Sequence, residues 1–169
     1  MKNIIGDGDI GKVLHEISRP DLLFFASGVS NSKETRESEY EREISLLLRQ
    51  GKGRHIVYFS TLAIFYSDTR YTQHKRQIEA IIRSFFNRYT IVRLGNITWG
   101  DNPHTIINFF RNKVKKGEKI EIEDTYRYLI DKDEFLDWMK MIPEWSCELN
   151  LNGKRLKVAD IVKEYVNIK

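Results

Sequence analysis

An α/β fold, with a mostly parallel sheet covered by helices on both faces, is what this sequence predicts. Three observations carry the prediction. Continuous apolar runs of strand length alternate with segments of helical periodicity. Those runs lack polar alternation, as strands buried on both faces do. A glycine loop, Gly6-x-Gly8-x-x-Gly11, stands between the first such run and the first helical segment.

In order, Lys2 to Ile5 reads as a short strand, and about Ile10 to Ser18 as a helix with Val13, Leu14 and Ile17 inward, stopped by Arg19-Pro20. Leu22 to Ala26 is a buried strand, and Ser27 to Ser32 is loop chemistry. A helix follows over about Glu34 to Gln50, with Ile44, Leu47 and Leu48 inward, ending at Gly51-Lys-Gly53. His55 to Phe59 is the next buried strand, with Ser60-Thr61 at its carboxyl end. From Tyr71 to about Arg88 runs the best helix, its stripe formed by Ile78, Ile81, Ile82, Phe85, Phe86 and Tyr89. Thr90 to Leu94 is a strand, His104 to Lys115 a helix, and Lys119 to Ile122 and Arg127 to Ile130 short strands. Asp133 to Met141 reads as helix, Leu149 to Leu151 as a last strand and Val158 to Val166 as a final helix.

A length of 169 residues predicts one domain, 1–169, with a real core. Apolar residues at 41% and charged residues at 31% describe a soluble globule rather than a disordered chain. No apolar run reaches the length of a membrane span, and the segment up to Ile5 meets glycine too soon for a signal peptide. The single Cys147 predicts a reducing cytoplasm. The net charge of +4 suits an anionic small molecule. Basic residues are mixed with acids and form no stripe with aromatics, so nucleic acid is not the expected partner. Lys113-Val-Lys115-Lys116 reads as a solvated helix end. His15, His55, His74 and His104 have no metal-ligand spacing, and His74 is expected in solvent. Trp99, Trp138 and Trp145 are expected in the core or a pocket wall.

The glycine loop has the context of a phosphate cradle, following a strand and opening a helix. Gly6 permits the tight turn, Gly8 lets a pyrophosphate approach the backbone, and Gly11 lets helix and strand pack. Backbone N–H groups around Asp9 and Ile10 would face the phosphates, provided the Asp7 and Asp9 carboxylates point away. Tyr71 and Lys75 stack one helical turn apart. The apolar stripe traced back from Tyr89 through Ile78 arrives at both, so they lie on the sheet-facing side. An ammonium there is expected to lower the tyrosine pKa, equipping Tyr71 to exchange a proton with a carbinol or carbonyl oxygen. Thr61 would hold the same oxygen. With the glycine loop, this predicts a nicotinamide cofactor, NAD or NADP.

These residues resemble the short-chain dehydrogenase/reductase superfamily, in particular its extended branch of nucleotide-sugar epimerases, dehydratases and reductases, or its atypical members. Ile56-Val-Tyr-Phe-Ser-Thr61 is similar to the strand that ends in the catalytic Ser/Thr. Tyr71-x-x-x-Lys75 is similar to the acid/base pair, whose lysine also meets the nicotinamide ribose. Ile91-Val-Arg-Leu-Gly95-Asn96 is similar to the strand and turn lining the substrate pocket. Arg127 to Asp133 and Cys147 to Val162 resemble later family segments. The resemblance implies a Rossmann-like sheet with a small substrate-side remnant carried by 101–169. It implies Thr61, Tyr71 and Lys75 as catalytic residues and Gly6, Gly8, Asp9, Ile10, Gly11, Ala26, Ser27, Gly28 and Lys75 at the cofactor. Ser60 and Asn96 fall at the substrate, a small molecule of the nucleotide-sugar kind. The implied activity is that of an NAD(P)-dependent oxidoreductase or epimerase. The alternative is a dinucleotide-binding or interaction relative without turnover. A homodimer is implied too, although the outer face of the second long helix carries Arg76, Gln77, Arg83 and Asn87.

Among the departures from the family pattern are an extra leading glycine missing from the loop (Ile5 stands there), a short gap between Thr61 and Tyr71, and two that bear most on the site. The helix from Glu34 lacks the family's fourth catalytic residue, an asparagine. Leu22 to Gly28 resembles the family's fourth strand yet follows the first helix directly, so two strands and their helices are missing. The first strand then becomes a sheet edge open to pairing, and the adenine loses much of its wall. A competing alignment makes Leu22 to Ala26 the second strand, with Ser27, Ser30, Asn31 and Lys33 or Arg36 near the ribose.

Overall fold

The computed structural model of the chain describes residues 2–166. Its elements are β1 (Ile4–Ile5), α1 (Asp9–Leu14), β2 (Leu22–Phe25), α2 (Glu37–Leu48), β3 (His55–Thr61), a 3-10 turn (Leu62–Phe65) and α3 (Arg70–Phe85). There follow β4 (Tyr89–Leu94), β5 (Asn96–Ile97), α4 (Ile106–Lys115), β6 (Tyr126–Ile130), α5 (Lys132–Lys140), β7 (Cys147–Leu151), β8 (Lys154–Lys157) and α6 (Val158–Tyr165). The main sheet runs β1-β2-β3-β4-β7 and is parallel throughout. A second sheet runs β5-β6-β8, with β8 antiparallel. Among the described residues, no helix is long and apolar enough to cross a membrane.

Strand alternation sorts the main core into two faces. Phe24, Val57, Phe59 and Val92 point to one face, where Val13 and Leu14 of α1 meet Phe135 and Met139 of α5. Phe25, Ile56, Tyr58 and Ile91 point to the other, under Leu47 of α2 and Ile78 and Ile82 of α3. The helices thus cover both faces, as the apolar strands required. α4 and α6 pack on each other through Phe110, Val158 and Val162, beside the small sheet.

The strand order decides between the two alignments. With His55–Thr61 matched to one of the later strands of the doubly wound order, a second strand at Leu22–Phe25 would be separated from it by β1. Instead β2 lies between β1 and β3, and β1 is an edge, as the deletion requires. The deletion also leaves an unusual connection. The β1-to-β2 and β2-to-β3 steps move the same way across the sheet, yet α1 and α2 lie on opposite faces. Their crossovers are therefore of opposite hand, although about 98% of such units are right-handed.

Several local expectations are corrected. Lys119 to Ile122 is not a strand, because both edges of β6 are already taken by β5 and β8. β8, three of whose four residues are charged, carries no strand pattern and is held by its ladder to β6. α1 stops at Leu14, earlier than the stripe suggested, and Arg19 then donates to the carbonyls of Met139, Lys140 and Ile142 at the end of α5. Leu48 is exposed, since Leu47 takes the inward position, and Trp138 and Trp145 are exposed as well.

Candidate functional site

A cleft of about 740 Å³ opens at the carboxyl ends of β1 to β4. Its position follows from the crossovers. Neighbouring strands whose chains leave to opposite faces open a crevice between the departing helices, here α1 and α2. Every residue expected at the site lines this cleft except Gly11. Gly11 is buried behind the loop, where an added Cβ would lie 2.4 Å from the Gly6 carbonyl oxygen.

The loop from Gly6 to Asp9 forms one end. Gly6 has a φ of +110°, and a Cβ there would meet the Ala26 carbonyl oxygen at 2.4 Å. At Gly8, by contrast, a Cβ would meet nothing within 4 Å, so its bare backbone faces open space that a phosphate could approach closely. The Asp9 carboxylate does point away. It accepts from the backbone N–H of Asp101 at 3.1 Å and of Asn102 at 2.8 Å, tying the loop to the segment after β5. Trp99 donates its indole N–H to the Asp9 carbonyl and packs on Phe135 against the core, one of the two places expected for it.

The other end is built by β3 and α3. Thr69 caps α3 in a reciprocal box with Thr72, which fixes the first turn and with it Tyr71. Lys75, one turn on, is buried, and its ammonium stands 5.6 Å from the centre of the Tyr71 ring. Thr61 accepts from the Ala63 N–H at 3.1 Å, and its hydroxyl stands beside the Tyr71 phenol. Ser60 donates to Glu79 at 2.7 Å, a carboxylate gripped by Arg93 at 2.9 and 2.6 Å. Its oxygen therefore remains only as an acceptor. Asn96, half-buried in β5, lies near the Tyr128 carbonyl at 3.5 Å.

Sequence reasoning missed the floor of the cleft. Glu43 of α2 is completely buried and accepts four hydrogen bonds: from the Val29 N–H at 2.8 Å, His74 Nε2 at 2.8 Å, Tyr58 at 2.6 Å and Lys75 at 3.2 Å. Lys75 donates also to the Tyr58 oxygen at 2.9 Å. Burial by itself would push the Glu43 carboxyl up, but Lys75, His74, Tyr58 and the Val29 N–H together hold it down at about 2. A signal was present in the sequence, because Glu43 lies on the buried stripe between Tyr40 and Leu47. His74, expected in solvent, is wholly buried as a partner of Glu43, its ring 4.6 Å from that of Tyr40. Its Nδ1 has no hydrogen-bond partner among the described residues.

Glu43 also reverses the expected electrostatics. The Tyr71 phenol is raised, not lowered, first by burial and then by the negative charge of Glu43, with only the Thr61 hydroxyl opposing. A lysine whose charge is already met by a buried carboxylate cannot depress a neighbouring phenol as a free ammonium would. Arg127 of β6 is a second omission, a cation on the cleft wall facing Tyr66.

A scan against models of protein families finds no match, and neither does a search of curated protein sequences. Solved structures do match in fold. The chain is similar to the enzyme WbmG of Bordetella bronchiseptica, solved in complex with NAD and UDP, with a TM-score of 0.67 and 16% identity, covering 87% of this chain and 56% of that one. It is similar to CapF of Staphylococcus aureus, a capsular polysaccharide assembling protein, with a TM-score of 0.64 and 17% identity over 96% of this chain and 57% of that one. It is also similar to a UDP-N-acetylglucosamine 4-epimerase from Methanobrevibacter ruminantium, solved with UDP-N-acetylmuramic acid, with a TM-score of 0.62 and 15% identity over 93% of this chain and 62% of that one. The chain therefore spans less than two thirds of the length of these proteins. At such identities the likeness is one of fold. The fold shared with them is a mostly parallel, Rossmann-like α/β sheet with helices on both faces.

Proposed function

We propose that this chain binds a nicotinamide dinucleotide, NAD or NADP, and acts as an oxidoreductase or epimerase on a sugar nucleotide or related carbohydrate. One observation carries the reading. The open backbone at Gly8 and the Thr61, Tyr71 and Lys75 side chains line a single cleft at the carboxyl ends of the sheet. The residues present fit the pyrophosphate and nicotinamide half of the cofactor. Gly6, Gly8, Asp9 and Ile10 would cradle the phosphates with backbone N–H groups, and Ala26, Ser27, Gly28 and Lys75 would hold the ribose. When bound, the nicotinamide supplies or accepts hydride. Tyr71 moves the proton at the substrate oxygen, Thr61 orients that oxygen, and Ser60 and Asn96 offer polar groups beside it. Arg127 adds a cation suited to a substrate phosphate.

The second reading, a dinucleotide-binding or interaction relative without efficient turnover, is favoured by the neutralised Lys75 and the raised phenol. Native mass spectrometry of the purified protein, followed by assay against a panel of nucleotide sugars, separates the two. A retained dinucleotide with turnover supports the first, and binding without turnover supports the second. Absence of dinucleotide binding, checked by adding NAD and NADP, would remove both. The homodimer implied by the resemblance belongs to this reading and is tested by sedimentation. The outer positions Arg76, Gln77 and Arg83 are exposed.

A further inference from the structure

Glu43 is unlike the other acids of the chain. A wholly buried carboxylate is costly unless paired, and this one is paired with the lysine of the cleft rather than with a surface cation. The Lys75 ammonium is wedged between Glu43 and the Tyr58 hydroxyl. Gly28 passes directly over the pair, where a Cβ would lie 2.8 Å from Glu43 Oε1 and 2.9 Å from Lys75 Nζ. The backbone of β2's exit loop thus packs against the pair from one side while Lys75 still borders the cleft, and Tyr40 and His74 close on Glu43 from the other. Around Tyr71, the Lys75 ammonium stands 5.6 Å from its ring and the Thr61 hydroxyl beside its phenol, and Glu43, Tyr40, Tyr58 and Tyr66 are the other ionisable groups whose charge bears on it. Among these, Lys75 is the one cation, and Glu43 meets its charge.

We infer that Glu43 is a positioning residue: by taking up the charge of Lys75 it holds Tyr71 as a neutral phenol, the form that donates a proton. This rests on the proposed function for its chemical meaning. In that setting the Tyr71 O–H bond would break and its proton would pass to a substrate carbonyl oxygen, the hydride for the carbonyl carbon being what a bound reduced nicotinamide would supply. The products are an alcohol, an oxidised nicotinamide and a tyrosinate that solvent reprotonates. Within the proposed function this favours reduction of a ketone or aldehyde of a sugar derivative over epimerisation, because epimerisation begins with an alcohol oxidation that needs the phenolate.

The test uses ligand-free protein with carbon-13 in the tyrosine rings, titrated by NMR, with Tyr71→Phe assigning the resonance. In the unmodified protein Tyr71 is expected to remain a phenol where ordinary tyrosines ionise, near pH 10. Glu43→Gln, which keeps the shape and an acceptor, is expected to raise its ionisation constant by about tenfold or more. A Glu43→Gln constant within about twofold of the original would overturn the inference. So would a Tyr71 that ionises at or below the ordinary range in the unmodified protein, a result that needs no variant to fold. Because no ligand is present, failure here leaves the dinucleotide reading standing, and failure of dinucleotide binding leaves the Glu43 coupling standing.

Discussion

At the scale of single residues, the buried Glu43–Lys75 pair sets both stability and chemistry. Removing one member strands the other charge in the core, which costs about 3–5 kcal/mol. Lys75→Met is therefore expected to lower unfolding free energy by that amount in denaturant titrations at neutral pH. An acid-dependence follows from the carboxyl. Its folded value of about 2 lies below its ordinary 4.5. A depressed carboxylate stabilises above its unfolded pKa and loses that contribution as pH falls toward the folded one. Stability is thus expected to decline between about pH 4.5 and pH 2, by roughly 3 kcal/mol from this group. Measured between neutral pH and pH 2.5, the decline should be smaller in Glu43→Gln, and an equal decline would show that other groups carry it. Tyr71→Phe is expected to abolish turnover, by about a hundredfold or more, while leaving dinucleotide affinity unchanged. An intact rate in that variant would remove the proposed mechanism.

At the scale of elements, the glycine loop divides into packing and binding positions. Gly11 has no room for a methyl group, whereas Gly8 has open space and a φ of −70° that alanine adopts freely. Gly11→Ala is expected to cost about 1–3 kcal/mol by overpacking. Gly8→Ala should leave stability within about 0.5 kcal/mol and weaken nucleotide binding by intruding on the cradle. Thermal unfolding and calorimetry distinguish the two; equal destabilisation in both would refute the division. Elements with strong periodicity were legible from sequence, among them α3 and the strands β2, β3 and β4. Weakly patterned ones were not. β8 is mostly lysine and arginine and exists because β6 offers it a ladder, and α1 stops at Leu14, ahead of the segment in which Arg19 turns back to bind the end of α5. Both outcomes depend on partners distant in the chain.

At the scale of the whole molecule, the opposite-hand crossovers are what open a cleft in a sheet of this strand order. Had α1 followed α2 to the same face, both helices would cover one side and no crevice would open between β1 and β2. β1 is the edge of this sheet, and among the described residues no further strand stands beyond it to carry an adenosine wall. A bound dinucleotide would keep its adenine largely in solvent. Its affinity is expected to exceed that of nicotinamide mononucleotide by no more than about tenfold, or roughly 1.4 kcal/mol. Calorimetry with both ligands checks this, and a dinucleotide bound a thousandfold tighter would mean that some other surface covers the adenine.

The sequence by itself determined the order and kind of the main elements and placed Tyr71 and Lys75 on the sheet-facing side of one helix. Apolar periodicity and glycine spacing are local properties, written within a few residues of where they act. Only the tertiary structure decided that α1 and α2 part to opposite faces, that Glu43 reaches Lys75 across them, and that the Tyr71 phenol is raised rather than lowered. A charge takes its effect from what is buried opposite it, and that neighbour lies about thirty residues away in the chain but 3.2 Å away in space.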